Sequence, residues 1–410
     1  MRTTTKSLVF GMFVTILFPL VILFLLEIGI RLLGINTDVA RNTDLKVEVP
    51  IWVLMNENWV EQSKARLQNK RQWVVEATKW LSYFEEARYI QYKMKPHVAA
   101  SVVNYFNPIE LQKQVKFKIT SNSQGFRTKE FSKRKGDHVL RAVALGDSST
   151  FGWGVSSTQT FSHILEEKLN GALPDWDCEV LNLGLPGYTS VHGINLYDTL
   201  VASLAPDILI ISFGANDPRM LKYSVKEVLA QDKTWVGALK SFLRKFKLYG
   251  LTKKIILYFY NPFSSGKTDT PESERHLKKR AVSMAEYKQN LTYFIDSARE
   301  KGIAIIFIGV CTADSYLQVM KETALQENVP FLEIRTLYLE NYEKIVNKEI
   351  YGNIVTYYEN LYGSEAMVQR KSLYFSVDGC HPNIIGHNLI GEALYNRLKP
   401  LLVDRGIMIE

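Results

Sequence analysis

From residue 139 onward the chain alternates between two hydrophobic periods, and this limits its fold more than any other feature. Residues 139–145 (VLRAVAL), 179–183 (EVLNL), 207–213 (DILIISF), 303–310 (IAIIFIGV) and 329–334 (VPFLEI) are short runs rich in Val, Ile and Leu. Each has the length and the continuous apolar character of a strand buried on both faces. Between them apolar residues recur at helical spacing. Phe161, Ile164, Leu165 and Leu169 share one face, and so do Leu291, Phe294, Ile295 and Ala298. A last helix is expected over about residues 384–398. Strand then helix, repeated, predicts an α/β domain: a doubly wound parallel sheet with helices on both faces.

Ligands of such sheets sit beyond the carboxyl ends of the strands. Reactive residues should therefore follow strands, and here they do. Gly146-Asp147-Ser148-Ser149 follows the first run, where a hydroxyl at a strand-to-helix turn is exposed near backbone N–H groups. Asp and Ser there also suit a helix N-cap, so Ser148 alone decides nothing. Thr150 stands where the Gly-x-Ser-x-Gly elbow of α/β-hydrolases has its second glycine, so that elbow is absent. Gly187, in the stretch 182–189 (NLGLPGYT), can present a bare N–H to a ligand. Asn216, in Gly214-Ala215-Asn216-Asp217, offers an amide N–H at the same edge, the donor a developing oxyanion needs.

The fourth element is Asp378-Gly379-Cys380-His381-Pro382, just before the last helix. A histidine can accept a serine proton only when its other nitrogen is held, and a carboxylate three residues earlier on a tight turn can hold it. Gly379 lets the turn form, and Pro382 biases His381 away from helical geometry. His387 and the remaining histidines have no such setting.

In this order and at these strand ends, the chain resembles the SGNH (GDSL-like) hydrolase family. Gly146-Asp147-Ser148 matches its nucleophile block, Gly187 its glycine block, Asn216 its asparagine block, and Asp378 with His381 its Asp-x-x-His block. The resemblance covers roughly residues 120–400. It implies a flavodoxin-like three-layer α/β/α fold with a central, mostly five-stranded parallel sheet. It also implies acyl transfer or ester hydrolysis, with Ser148, Asp378 and His381 catalytic and Ser148, Gly187 and Asn216 forming the oxyanion hole. No metal and no organic cofactor is expected. Ser149-Thr150 departs from the apolar residue that many members carry after Gly-Asp-Ser.

The amino terminus sets the compartment. Residues 8–26 carry no charge, apolar character continues to Leu33, and Arg2 and Lys6 precede the stretch. About 20 residues span a bilayer's hydrocarbon core, and the basic flank keeps the amino terminus cytoplasmic. A cleaved signal peptide would have a shorter apolar region and a small-x-small site, so an uncleaved anchor is the expectation. The catalytic domain would then lie outside the cytoplasm, periplasmic or extracellular.

The expected organisation is a cytoplasmic tip and anchor over 1–35, a leading region over 36–120, and the hydrolase domain over 121–410. An insertion of helices and loops at about 219–285 is a lid candidate. Residues 59–92 read as helical, with Trp73, Trp80, Tyr83 and Phe84 on one face. The three cysteines, Cys178, Cys311 and Cys380, make no disulfide framework and no zinc spacing. Cys178 and Cys311 read as small core residues. Cys380 beside His381 invites a catalytic reading, but Ser148 has the better context. The net charge of +8 comes from basic residues spread along the chain, without a nucleic-acid motif. The sequon Asn290-Leu291-Thr292 falls in an expected helix and is given no role.

The leading functional expectation is a serine esterase acting on acyl esters, O-acetyl above all, on an acetylated glycan or a lipid. An O-acyltransferase modifying a cell-surface polysaccharide would use the same triad with a sugar hydroxyl in place of water. A non-catalytic glycan- or partner-binding scaffold would be expected to carry a damaged triad, and every matched position here is intact.

Overall fold

The computed structural model describes residues 10, 11, 13–42, 47–56, 58, 60, 79–104, 115–259 and 278–407. These form two compact units, Met1–Ser82 with Gln231–Thr270, and Tyr83–Ala230 with Pro271–Glu410.

The second unit contains the expected sheet. Its strands are β1 (Val139–Gly146), β2 (Asp177–Asn182), β3 (Ile208–Ser212), β4 (Ala304–Gly309) and β5 (Phe331–Glu333). All neighbours are parallel, in the order β5-β4-β3-β1-β2. That is the flavodoxin-like order, with its switch point between β1 and β3. The strands are apolar throughout because helices cover both faces. Phe161, Leu165, Leu389, Leu394 and Leu398 pack on one side with Leu140, Ala142 and Ala144. The last helix runs over Ile384–Asp404, a turn and a half beyond the expected end.

At the strand end away from the expected site, Arg141 is fully buried. Its Nε donates to Glu179 Oε2 at 2.6 Å and its Nη1 to Leu204 O at 2.8 Å, locking β1 to β2.

The leading region corrects the helical expectation. Trp73 and most of 59–92 lie outside the described residues, but Phe84–Ala87 and Gln91–Met94 form an antiparallel hairpin. Tyr89 and Gln91 both take φ of 69°, which reverses the chain, and Phe84, Tyr92 and Met94 turn to the interior. Aromatic spacing of three and four residues fits a helix, but here alternation across a strand wins. A second hairpin pairs Ala99–Val103 with Lys116–Thr120.

The first unit holds one long apolar helix. A π-helical stretch, Phe13–Leu17, leads into the α-helix Phe18–Leu32, with Pro19 in the first α-helical turn, where its missing N–H costs little. Together they make 20 residues, long enough and apolar enough to cross a membrane. The unit also contains the antiparallel pair Val39–Asn42 and Val47–Pro50 and the helices Trp235–Leu243 and Lys247–Phe259. The expected insertion at 219–285 is thus divided, and Gln231–Thr270 belongs with the amino-terminal segment. A small core of Val49, Ile51, Val53, Leu54, Leu81 and Leu257 joins these pieces.

Removing one member of a buried ion pair leaves the other charge uncompensated. Glu179→Ala is therefore expected to lower unfolding free energy by about 3–5 kcal/mol in urea titration.

Candidate active site

Ser148 opens a short helix, Ser148–Phe151, directly after β1. The N-cap is Asp147, whose carboxylate accepts from Ser149 N at 2.8 Å. Ser148 is thus the first helical residue, and its hydroxyl is not spent on capping. Gly146 is needed for close approach: a Cβ there would stand 2.6 Å from Ser212 O and closer still to Thr150. Arg127 fixes the far end of the helix. Its guanidinium donates to Phe151 O and Gly152 O at 2.8 and 2.6 Å, and to Val155 O and Lys118 O. Four carbonyls surround this buried cation, and burial lowers its pKa to about 9.

The Asp378 turn brings an imidazole to the serine. Its carboxylate accepts from Cys380 N at 2.9 Å, His381 N at 3.0 Å and, through Oδ2, His381 Nδ1 at 2.6 Å. Burial pushes Asp378 up, but these bonds from His381 and Cys380 outweigh it and leave the carboxyl below its ordinary value. With Nδ1 donating to the carboxylate, Nε2 is the acceptor, and Ser148 Oγ lies 2.7 Å away. Gly379 takes φ of 64°, and Ser376 N donates to His381 O at 2.8 Å to close the turn. Asn383 caps the helix that follows.

The structure overturns the reading of the cysteines. Cys311 and Cys380 form a disulfide, with Cα atoms 5.1 Å apart. Cys380 is therefore no nucleophile, and Cys311 is no simple core residue; Cys178 is buried and free. Cys311 lies just after β4, beside Thr312, whose hydroxyl donates to Phe213 O at 3.1 Å. The disulfide thus braces the Asp378 turn against the loop after β4, which Thr312 ties to the end of β3.

Gly187 and Asn216 stand on neighbouring loops after β2 and β3. Gly187 has φ of 85°, and a Cβ there would lie 2.6 Å from the Tyr92 hydroxyl. That hydroxyl donates to Pro186 O. The Tyr188 hydroxyl sits between Ile90 O and Tyr92 O, and its ring stacks on His192. The 84–94 hairpin thus clamps the glycine loop. Asn216 Nδ2 donates to Tyr188 O at 2.9 Å, which leaves its second amide hydrogen for a ligand oxygen.

Asp217 was not singled out in the sequence. Fully buried, it accepts from Ser190 N at 3.0 Å and Ser190 Oγ at 2.5 Å through one oxygen, and from Gly214 N at 3.1 Å through the other. It ties the segment after Gly187 to the turn that carries Asn216. Burial pushes its carboxyl up to about 7 against the pull of these donors, and the nearby Asp147 adds to the rise. A charged residue in the turn that follows an apolar strand was the available signal.

A cleft of about 490 Å³ adjoins the base turn. Gly154, Gln159, Tyr357, Phe375 and Ser376 line it. Trp153 stands between the cleft residue Asn104, to which its indole N–H donates at 3.1 Å, and His381, 6.2 Å away ring to ring.

A serine hydroxyl, an imidazole of fixed tautomer, an orienting carboxylate and an adjacent amide donor define a serine hydrolase constellation. The profile of the GDSL-like Lipase/Acylhydrolase family matches residues 144–389, and the chain belongs to that family. It is an ester-hydrolysing enzyme of the SGNH type. Among solved structures it is similar to TesA (18% identity, 64% of this chain and 100% of that one, TM-score 0.36). It is also similar to a lipase/acylhydrolase from Enterococcus faecalis (17%, 64% and 96%, 0.34). A third is Axe2, an acetylxylan esterase from Geobacillus stearothermophilus (15%, 63% and 94%, 0.35). Comparison with curated proteins gives no match.

Two outcomes follow. Asp217→Asn places an amide N–H₂ against donors and should lower kcat about 10²-fold, the cost of displacing catalytic groups by about 1 Å. Because its folded pKa is raised, Asp217 contributes stability that is complete below 3.8 and lost as pH rises through about 7. The stability gap between wild type and Asp217→Asn should therefore narrow over that window in urea titrations. Cys311→Ser should cost about 2–4 kcal/mol of stability, with kcat reduced more than KM is raised, as steady-state kinetics would show.

Proposed function

We propose that this protein is a serine esterase that cleaves small acyl esters, O-acetyl esters foremost, through an acyl-enzyme on Ser148. The relay from Ser148 Oγ through His381 to Asp378, with contacts of 2.7 and 2.6 Å, carries the proposal.

Ser148 Oγ attacks the ester carbonyl while His381 Nε2 takes its proton. Asp378 holds the imidazolium that forms. The carbonyl oxygen becomes an oxyanion, stabilised by the backbone N–H groups of Ser148 and Gly187 and by the Asn216 amide. Collapse expels the alcohol, which receives its proton from His381. Water, deprotonated by His381, then attacks the acyl-enzyme and releases the acid and Ser148. The buried Trp153 and the Tyr92 hydroxyl against Gly187 crowd the site, which favours a short acyl group. The cleft beside the base turn supplies room for the alcohol part of the ester.

The same reading places the enzyme on a membrane. The helix Phe13–Leu32 serves as an uncleaved anchor, with Arg2 and Lys6 on the cytoplasmic side and the remainder outside. The Cys311–Cys380 disulfide supports that side, since such bonds persist in oxidising compartments.

Ser148→Ala is expected to reduce turnover of 4-nitrophenyl acetate by at least about 10⁴-fold, and Asn216→Ala by about 10²–10³-fold. Circular dichroism should show both variants folded. Ser148→Ala retaining wild-type turnover would remove the nucleophile assignment.

A further inference from the structure

The helices Trp235–Leu243 and Lys247–Phe259 present an apolar surface that no described residue covers. Trp235, Leu239 and Phe242 follow one another at spacings of four and three, so they share a face of the first helix, and Phe246 in the junction packs its ring on Phe242 at 5.3 Å; all four are exposed. Trp235 is 77% exposed, and Tyr258 and Phe259 on the next helix exceed 80%. From Trp235 to Phe259 the sequence holds six lysines and arginines and no carboxylate. Exposed aromatics interleaved with basic residues on short helices are the composition of an element that lies in a membrane surface.

Its position in the first unit points the same way. Glu27, near the carboxyl end of the apolar helix, accepts from Lys247 N and Leu248 N at 3.0 and 2.8 Å, capping the second helix. Arg31 pairs with Glu27 at 2.7 Å and donates to Lys245 O at 3.0 Å. Lys247 Nζ reaches Asp38 at 2.9 Å, and Lys254 Nζ reaches Asn36 O at 3.0 Å. The junction between the two helices is therefore fastened where the apolar span meets its first charges. That is the depth of the headgroups.

We propose that residues 235–259 form an interfacial membrane-binding element. Its aromatic and aliphatic face enters the acyl boundary of the bilayer that the Phe13–Leu32 helix spans, and its lysines and arginines meet anionic headgroups. The two helices, assigned from sequence to a lid candidate, thus become a second, planar point of attachment. The inference rests on the membrane reading of the amino-terminal helix.

The full-length protein, reconstituted in phosphatidylethanolamine–phosphatidylglycerol vesicles, provides the test. Nitroxides are attached singly at Phe242→Cys or Ile255→Cys, with Leu25→Cys as the span control and the exposed Leu339→Cys as the aqueous control. Labels at 242 and 255 should collide readily with oxygen and poorly with a water-soluble nickel chelate, as at 25. Nickel accessibility matching that at 339 overturns the proposal. Protection from both reagents also overturns it, since the face would then be covered by protein. Aqueous behaviour at 25 overturns the span itself, a failure distinguishable from one confined to 242 and 255.

Discussion

The two loops proposed to carry the oxyanion donors are joined by one buried carboxylate. Asp217 is held by three donors, two from Ser190 and one from Gly214. Gly187 and Asn216 follow different strands, and only β1 lies between β2 and β3 in the sheet. A transition state is stabilised by donors already in place, so two loops of separate origin must be fixed relative to each other before substrate arrives. Asp217 does this from behind, and Asn216 adds a direct bond to Tyr188 O. The high pKa that burial imposes is the cost of putting the link where water cannot compete for it.

The rest of the catalytic unit is arranged around the same need. Tyr92 and Tyr188 join the glycine loop to the 84–94 hairpin, and Arg127 grips the carbonyls at the end of the nucleophile helix. Tyr92 and Arg127 lie ahead of the family match, which begins at 144, and Tyr188 lies within it. The residues of the serine–histidine–aspartate constellation all lie within the match, whereas part of what stiffens its loops comes from the leading segment. The disulfide stiffens the opposite wall, where the base turn meets the loop after β4.

Much of the sheet could be read from sequence because strands buried on both faces must be apolar without interruption, and helices between them must not. The contact between Asp378 and His381 was equally legible, since the two share one turn and need no distant partner to be recognised. What escaped was nonlocal. Cys311 and Cys380 lie 69 residues apart, and nothing in their spacing announces that β4 ends beside the base turn. The hairpin escaped because its reversal uses positive φ at Tyr89 and Gln91 instead of glycine. Asp217 sat in plain view beside Asn216, but its work is defined by Ser190, on a different strand's loop.

The order of the chain gives the base turn one more significance. Ser148 precedes β2 to β5, whereas Asp378, Cys380 and His381 follow all of them. During synthesis every strand of the sheet emerges before the base exists. Ser148, the proposed nucleophile, waits through that interval without its imidazole partner, and the disulfide closes only with a residue from the same late stretch. A chain that stops short of this turn holds every strand of the sheet and still lacks the imidazole that meets Ser148.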